Sequence, residues 1–312
     1  MTITQLKYVL AVAEYQNFTK AAKNVFVTQP TLSMQIQKLE EELDILIFDR
    51  SKKPIELTEV GRKLVIQAKN IVNESERMQD IVDQQKGFIG GEFVLGIIPT
   101  VMPTLLPMFL NTYIKKYPKV KLKILELPTE SIIEKIVDGH IDAAIAATPL
   151  DHDQITERPL YYEPFYGYVP QQHPLSQKKV LTSEDLDPNE ILLLEDGHCF
   201  RDNVLNICKT KKSYTEEQFT LESGSIETLV KLANEGLGMT LLPYLHTQDI
   251  KEIEKGNLLP FEEPSPAREV SLIYHNSELK IQIIDSLREV ISSIVKGAIA
   301  FQDVKIISPS KG

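Results

Sequence analysis

The chain has 312 residues, 42% hydrophobic and 25% charged, a balance that fits two or three globular domains and excludes a disordered or fibrous protein. No apolar run approaches the length of a membrane span, and Met1 to Lys7 lacks the shape of a secretion signal, so a cytoplasmic chain with no membrane partner is expected. The net charge of −10 argues against non-specific nucleic-acid binding by the whole molecule, but residues 1–90 carry 12 charges of each sign and the rest carry 22 basic against 32 acidic, so the neutral N-terminal part is the one suited to approach a polyanion.

Residues 1–57 read as a small helical domain. Leu6, Val9, Leu10 and Ala13 share one helical face. Asn17 is placed to cap a second helix through Ala21 and Ala22, and the run Val25-Phe26-Val27 closes it. Thr28 is a cap with Pro30 in the first turn of a third helix, which buries Leu32, Ile36, Leu39 and Leu43. Its other face offers Gln29, Thr31, Ser33, Gln35 and Lys38, polar side chains suited to base edges and phosphates. Phe48 to Leu57 reads as a hairpin with a basic tip at Arg50, Lys52 and Lys53. A plain three-helix bundle with a solvated polar face would produce much the same spacing.

The residues themselves carry a resemblance. Phe18-Thr19-Lys20-Ala21-Ala22, Thr28-Gln29-Pro30-Thr31-Leu32-Ser33, Ile36, Leu39-Glu40, Leu43, Leu46, Phe48 and Arg50 resemble the winged helix-turn-helix of LysR-type transcriptional regulators. That resemblance implies that Thr28, Gln29, Pro30, Thr31, Ser33, Gln35 and Lys38 enter the major groove of double-stranded DNA, with Arg50, Lys52 and Lys53 in the wing.

After the hairpin, Leu57, Leu64, Ile71 and Met78 recur every seven residues, and Ala68, Ser75 and Val82 make a second row. Two such rows form a coiled-coil seam. A helix packed only on its own domain is the other option, but one of about 30 residues would be exposed and marginal alone. Gly87 and Gly90-Gly91 end it and permit a bend. LysR-type proteins are similar here, which implies a dimer on a pseudo-palindromic operator. The boundaries expected are 1–58 for the winged helix-turn-helix, 59–90 for the linker helix and hinge, and 91–312 for the regulatory domain.

Beyond Gly91, strand-like runs at Phe93–Ile98, Val120–Leu127 and Ile141–Ala146 alternate with helical runs at Leu105–Tyr117 and Ser131–Val137. The alternation predicts a parallel sheet with helices on both sides. Tyr166 to Val169 is expected to cross to a second lobe built from Ile191–Leu194, Phe219–Leu221, a helix at Ile226–Asn234, and Gly238–Pro243. Val270 to Tyr274 returns, and Ile281 to Val295 closes the fold. Thr100, Thr129 and Cys199 each follow a predicted strand, so the three converge on one cleft between lobes. Helix capping would also account for the two threonines.

Both cysteines of the chain lie in Glu195-Asp196-Gly197-His198-Cys199-Phe200-Arg201-Asp202-Asn203-Val204-Leu205-Asn206-Ile207-Cys208. Asp196 can cap a short helix behind the turn at Gly197. A neighbouring cation or a helix N-terminus favours a thiolate at Cys199. On a continuous helix the two cysteines stand roughly 13 Å apart, at about 1.5 Å per residue. A disulfide needs Cα atoms within about 7 Å, so closing this one requires refolding. Two unrelated, inert cysteines fit the spacing as well. A metal site of His198, Cys199 and Cys208 lacks a fourth ligand, so no metal is expected.

Gly139-His140-Ile141-Asp142 and Gly238 to Pro243 resemble the effector domain of the LysR family, and the cysteine stretch with Thr100 and Thr129 resembles its peroxide-sensing branch. The fold so implied is a winged helix-turn-helix, a long linker helix and a two-lobed α/β regulatory domain like that of periplasmic binding proteins. The function so implied is regulation rather than enzymatic turnover, with no cofactor. Thr100, Thr129, Gly197 and His198 would hold hydrogen peroxide, Cys199 would be oxidised and bridged to Cys208, and Arg201 and Arg268 would support the thiolate. The implied partners are a second dimer in a homotetramer, RNA polymerase, and a thiol reductant of glutaredoxin or thioredoxin type. A metabolite bound in the same cleft is the alternative signal. Two features depart from the family pattern: the charged run Lys209-Thr210-Lys211-Lys212, and the tail after Lys296.

Overall fold

The computed structural model describes residues 1–85, 89–187, 190–195, 199–208, 224–299 and 304–309. The chain divides into two compact units, Met1–Phe88 and Ile89–Gly312.

The first unit begins with three helices, α1 (Ile3–Tyr15), α2 (Phe18–Asn24) and α3 (Gln29–Leu43). Each start has a chemical cause. Thr2 and Gln5 cap α1 reciprocally, the Asn17 side chain accepts the amides of Thr19 and Lys20, and Thr28 accepts that of Thr31 ahead of Pro30. The core joins Leu6, Val9, Val12, Phe18, Leu32, Ile36 and Leu39, whereas Leu10, Ala13 and Leu43 are only half-buried. The run Val25-Phe26-Val27 ends α2 as expected, and within it Phe26 is 95% exposed and takes a left-handed φ of 56° in the turn between α2 and α3.

The expected hairpin is present as β1 (Phe48–Asp49) paired antiparallel with β2 (Glu56–Leu57). Its base rests on Glu40, a buried carboxylate on α3 that accepts the amides of Ile47 (2.8 Å) and Phe48 (3.2 Å).

The long helix α4 (Glu59–Gln85) divides the predicted seam. Leu64, Val65, Ala68 and Val72 pack into the first unit's own core, while Ile71 and Met78 face solvent. The side chain of Val82 lies outside the described residues.

The second unit is built on a sheet of order β4-β3-β5-β9-β6-β7. Strands β3 (Gly91–Ile97), β4 (Val120–Glu126) and β5 (Ala143–Thr148) are parallel, linked through α5 (Met102–Lys116) and α6 (Thr129–Val137). The parallel arrangement expected for these three strands is present, within a sheet that is mixed as a whole. Two long strands, β6 (Ile155–Tyr168) and β9 (Ser265–His275), run antiparallel to each other and carry the chain from the first lobe to the second and back. β9 pairs β5 at its first-lobe end, and β6 pairs β7 (Thr240–Pro243) and β8 (Leu258–Pro260) at its second-lobe end. The predicted helix at 226–234 is α8, and a one-turn α9 (Tyr244–Thr247) follows β7. The closing helix α10 (Ile281–Ala298) packs on the first lobe through Ile284, Leu287 and Ile291.

Ile191 to Leu194, expected as a strand, makes no ladder. It is buried and held to Met239 and Thr240 by a single bridge and by Thr240 Oγ1 on the Leu192 carbonyl (3.0 Å). A continuous apolar run has no period that separates a strand from buried irregular chain. Gly238 makes this approach possible: its φ is 138°, and a Cβ there would lie 2.5 Å from the Glu190 carbonyl oxygen. Phe219 to Leu221 lies outside the described residues.

Candidate redox site

Helix α7 (Cys199–Ile207) starts at one cysteine and ends one residue before the other. Phe200, Asn203, Val204 and Ile207 form its buried face, at the spacing of one side of a helix. The apolar three join the second-lobe core, and so does Cys208, whereas Cys199 packs against the core of the first lobe. The two thiols are free and half-buried, at opposite ends of one helix and against different cores. Asp196, Gly197 and His198, the expected cap and peroxide ligands, lie outside the described residues.

Around Cys199 the structure gathers residues that are distant in sequence. The Arg268 guanidinium is wholly buried: Nε and Nη2 donate to Glu163 Oε2 at 2.9 and 2.7 Å, and Nη1 and Nη2 donate to Thr100 Oγ1 and O at 2.9 and 3.0 Å. The guanidinium lies over the Phe200 ring at 5.9 Å. Glu163 spends its other oxygen on the Leu245 amide at 2.8 Å. Thr100 therefore accepts from Arg268, which leaves its own hydroxyl hydrogen for another acceptor. Neither threonine caps its helix with its side chain: Val101 stands at the N-cap of α5 and Pro128 at that of α6, with Thr129 in the first turn.

The Cys199 thiol is pushed above its ordinary value, with burial the largest cause. The Thr129 hydroxyl and the Arg268 charge pull the other way, Asp202 adds to the rise, and the Phe200 amide lowers it. Burial thus outweighs the cation and helix-end effects that favour a thiolate. Thr129 stands near enough to influence the thiol, but its buried Oγ1 has no hydrogen-bond partner of good geometry among the described residues, so the two groups are neighbours without a formed bond. Arg201, expected beside the thiolate, is turned to the backbone and donates from Nη1 to the Leu194 carbonyl at 2.9 Å. Cys208 is pushed up to about 11, by burial first and then by the Asp187 charge, and its thiol donates to the Val204 carbonyl at 3.3 Å.

In the first unit, Thr28, Gln29, Pro30, Thr31 and Lys38 are exposed at and along α3, and Ser33 and Gln35 are half-buried. Gln35 receives a bond from the Gln5 amide at 3.4 Å. Lys52 and Lys53 are exposed at the hairpin tip. Arg50 differs from them: it is bound to Glu40 at 2.7 Å and lies over the Phe18 ring at 5.2 Å. Of the two carboxylates that hold these arginines, Glu40 belongs to the motif that carries the resemblance but its role did not show in the sequence, and Glu163 carried no sequence signal. A glutamate at a position otherwise on an apolar face was the cue to a structural role for Glu40.

The description of the bacterial regulatory helix-turn-helix proteins of the LysR family matches residues 3–62, and that of the LysR substrate binding domain matches residues 86–293. The chain belongs to the LysR family. It is 33% identical to the hydrogen peroxide-inducible genes activator of Pectobacterium carotovorum subsp. carotovorum, over 93% of this chain and 96% of that one. It is 31% identical to the DNA-binding transcriptional dual regulator OxyR of Escherichia coli, over 95% and 97%. Among solved structures, a full-length mutant OxyR of Pseudomonas aeruginosa matches with a TM-score of 0.75 and 33% identity, covering 94% of this chain and 98% of that one. A mutant OxyR of Corynebacterium glutamicum with hydrogen peroxide bound matches with a TM-score of 0.64 and 27% identity, over 97% and 98%. Among the described residues of this LysR-type chain, no helix is long and apolar enough to cross a membrane.

Proposed function

We propose that this chain is a cytoplasmic, DNA-binding transcriptional regulator, not an enzyme, that senses hydrogen peroxide through Cys199 and Cys208. The observation that carries the reading is the placement of the two thiols at opposite ends of one nine-residue helix, with Cys199 beside Thr129 and the Arg268–Thr100 pair. The names of the relatives support it.

In the proposed mechanism, peroxide accepts hydrogen bonds from the Thr100 and Thr129 hydroxyls beside the sulfur. Cys199, as thiolate, attacks one peroxide oxygen. An S–O bond forms, the O–O bond breaks, and hydroxide leaves and is protonated to water. Donors aimed at the departing oxygen stabilise its developing charge. The Cys208 sulfur, once deprotonated, then attacks the Cys199 sulfur; the S–S bond forms, the S–O bond breaks, and a second water is released. Peroxide is reduced by two electrons and the two thiols are oxidised to the bridge. Because the bridge cannot span an intact α7, that helix must unwind.

The proposed division of labour is 1–58 for DNA, 59–90 for pairing of protomers and 91–312 for sensing. Thr28, Gln29, Pro30, Thr31, Ser33, Gln35 and Lys38 face the major groove, and Lys52, Lys53 and Arg50 serve the wing. Unwinding α7 changes the contacts between sensing units in a dimer of dimers, and with them the engagement of RNA polymerase at antioxidant genes. A thiol reductant of glutaredoxin or thioredoxin type resets the switch. The test is a DNA footprint with and without peroxide: Cys199→Ser should bind DNA with one unchanging footprint, and a peroxide-dependent footprint in that variant would remove Cys199 as the sensor.

A second reading rests on a cavity of about 420 Å³ between the lobes, lined by Pro99, Glu126, Ser225, Lys231, His246 and Lys251 among others. A small metabolite bound there would be the signal instead. Thiols that survive excess peroxide would favour it.

A further inference from the structure

The C-terminal tail lies beyond residues 86–293, the stretch that the regulatory-domain family describes. Its described part is nonetheless built into the second unit. Strand β10 (Val304–Ile306) pairs parallel with the second-lobe end of β9, Val304 opposite Ser265 and Ile306 opposite Ala267. The Ile307 amide extends the pairing to the Ala267 carbonyl at 2.8 Å, the Ile307 side chain packs on the second-lobe core, and Pro309 is buried.

The strand also grips α7. Asn203 donates from Nδ2 to the Ile307 carbonyl at 2.8 Å, and Asn206 donates from Nδ2 to the Ser308 carbonyl at 3.0 Å. Asn203 is wholly buried on the inner face of the helix. Asparagine is a poor helix former, and a buried amide is costly unless it is bonded. On this otherwise apolar face its Nδ2 finds a carbonyl on the tail, while its buried Oδ1 has no hydrogen-bond partner among the described residues. The two asparagines stand between the two cysteines, in the middle and last turn of the segment that a Cys199–Cys208 bridge has to unwind.

We infer that residues 304–308 form a strap on the redox helix, with Asn203 and Asn206 as its positioning residues, and that the strap sets how readily the cysteine pair closes. This rests on the Cys199–Cys208 switch proposed above. While β10 is docked, its two side-chain bonds hold α7 helical and keep the thiols apart. Unwinding α7 breaks both bonds and releases the strap from Asn203 and Asn206. The strap therefore favours the dithiol, and removing it favours the disulfide. Losing two hydrogen bonds, one of them at the exposed Asn206, corresponds to a shift of about tenfold in that equilibrium, near the low end of what two such bonds contribute.

The test uses full-length protein equilibrated in buffers of reduced glutathione and glutathione disulfide, which supplies the oxidant by thiol exchange and needs no peroxide. The bridged fraction is read by alkylation and mass spectrometry for the wild type, for Asn203→Ala with Asn206→Ala, and for a chain ended after Asp303. The strap predicts a shift of about tenfold toward the bridge in both altered chains. In a Cys208→Ser background it predicts that Asn206→Ala leaves the rate of sulfenic acid formation within about twofold. An equilibrium within twofold of the wild type would overturn it. Should the altered chains fail to fold, the single variant Asn206→Ala, at the exposed end of the strap, decides: its equilibrium should still move several-fold toward the bridge, and one within twofold of the wild type overturns the strap. A wild type that forms no bridge at any glutathione ratio overturns the switch itself, whereas a bridge whose equilibrium the variants leave unmoved overturns only this inference.

Discussion

Arg268 and Glu163 are joined by two hydrogen bonds, at 2.7 and 2.9 Å, in a space wholly closed to solvent. The pair joins β6 to β9, the two strands that cross between lobes, and through Thr100 and Leu245 it ties in the starts of α5 and α9. Removing one partner of a buried pair leaves the other charge uncompensated, at a cost of about 3–5 kcal/mol. Glu163→Ala should therefore lower the unfolding free energy of the regulatory unit by about that amount in urea titration, and should also slow peroxide oxidation because Arg268 and Thr100 lose their orientation. A loss under about 1 kcal/mol would mean that the pair is not what fixes Arg268.

The rate of Cys199 oxidation should depend steeply on pH. The thiolate is the nucleophile, and burial raises this thiol above its ordinary value. While pH lies below that value, the thiolate fraction grows about tenfold per unit, so the observed rate should still be climbing at pH 9. Stopped-flow oxidation of Cys208→Ser checks this, and a plateau already reached near pH 6 would show a thiol held well below its ordinary range. Thr129→Val removes the hydroxyl that favours the thiolate; it should slow oxidation several-fold at each pH and leave DNA affinity unaltered.

His246 predicts an acid-sensitive contribution to stability. The residue is half-buried at the cavity wall, but its Nδ1 is buried with no hydrogen-bond partner among the described residues, and burial followed by the Arg268 charge pushes it down to about 3. The folded value lies below the unfolded one of 6.5, so the neutral ring is favoured in the fold. That contribution is complete above about pH 6.5 and is lost as pH falls toward 3. His246→Leu should flatten the dependence of unfolding free energy on pH between 6.5 and 5 by about one proton, and an unchanged slope would mean that the folded ring takes up its proton as readily as the unfolded one.

The wing should separate two kinds of basic residue. Lys52 is exposed, and if it meets a phosphate, Lys52→Ala should weaken DNA binding uniformly and reduce the salt slope by about 1. Arg50 is bound to the buried Glu40 and stacked on Phe18, so Arg50→Ala should in addition destabilise the first unit by about 1 kcal/mol. Equal stability of the two variants would remove the structural role of Arg50.

The sequence was most legible where local chemistry decides the structure. The caps at Asn17 and Thr28, the hairpin at Phe48–Leu57 and the helix at 226–234 follow from residues within a few positions of one another. What escaped depends on distance. Glu163 meets Arg268 across 105 positions, and no periodicity announces such a pair. Ile191–Leu194 is apolar throughout, so burial was evident but strand pairing was not. The mixed sheet arises because β6 and β9 must cross between lobes in opposite directions, which a strand-helix alternation does not encode. Half of the linker seam was absorbed by the first unit's core, since Ala68 serves that core as well as a heptad. The tail gave no pattern of its own, because its contacts are backbone carbonyls taken by Asn203 and Asn206.

The central claim is that Cys199 and Cys208 are one switch. It is tested most directly by adding near-stoichiometric hydrogen peroxide to the reduced full-length protein, then counting free thiols and mapping the peptides, with Cys208→Ser alongside. The account predicts rapid loss of both thiols into a single Cys199–Cys208 bridge, and a sulfenic acid trapped at Cys199 in the variant. Thiols that remain free under excess peroxide, or bridges that form only between chains, would contradict it.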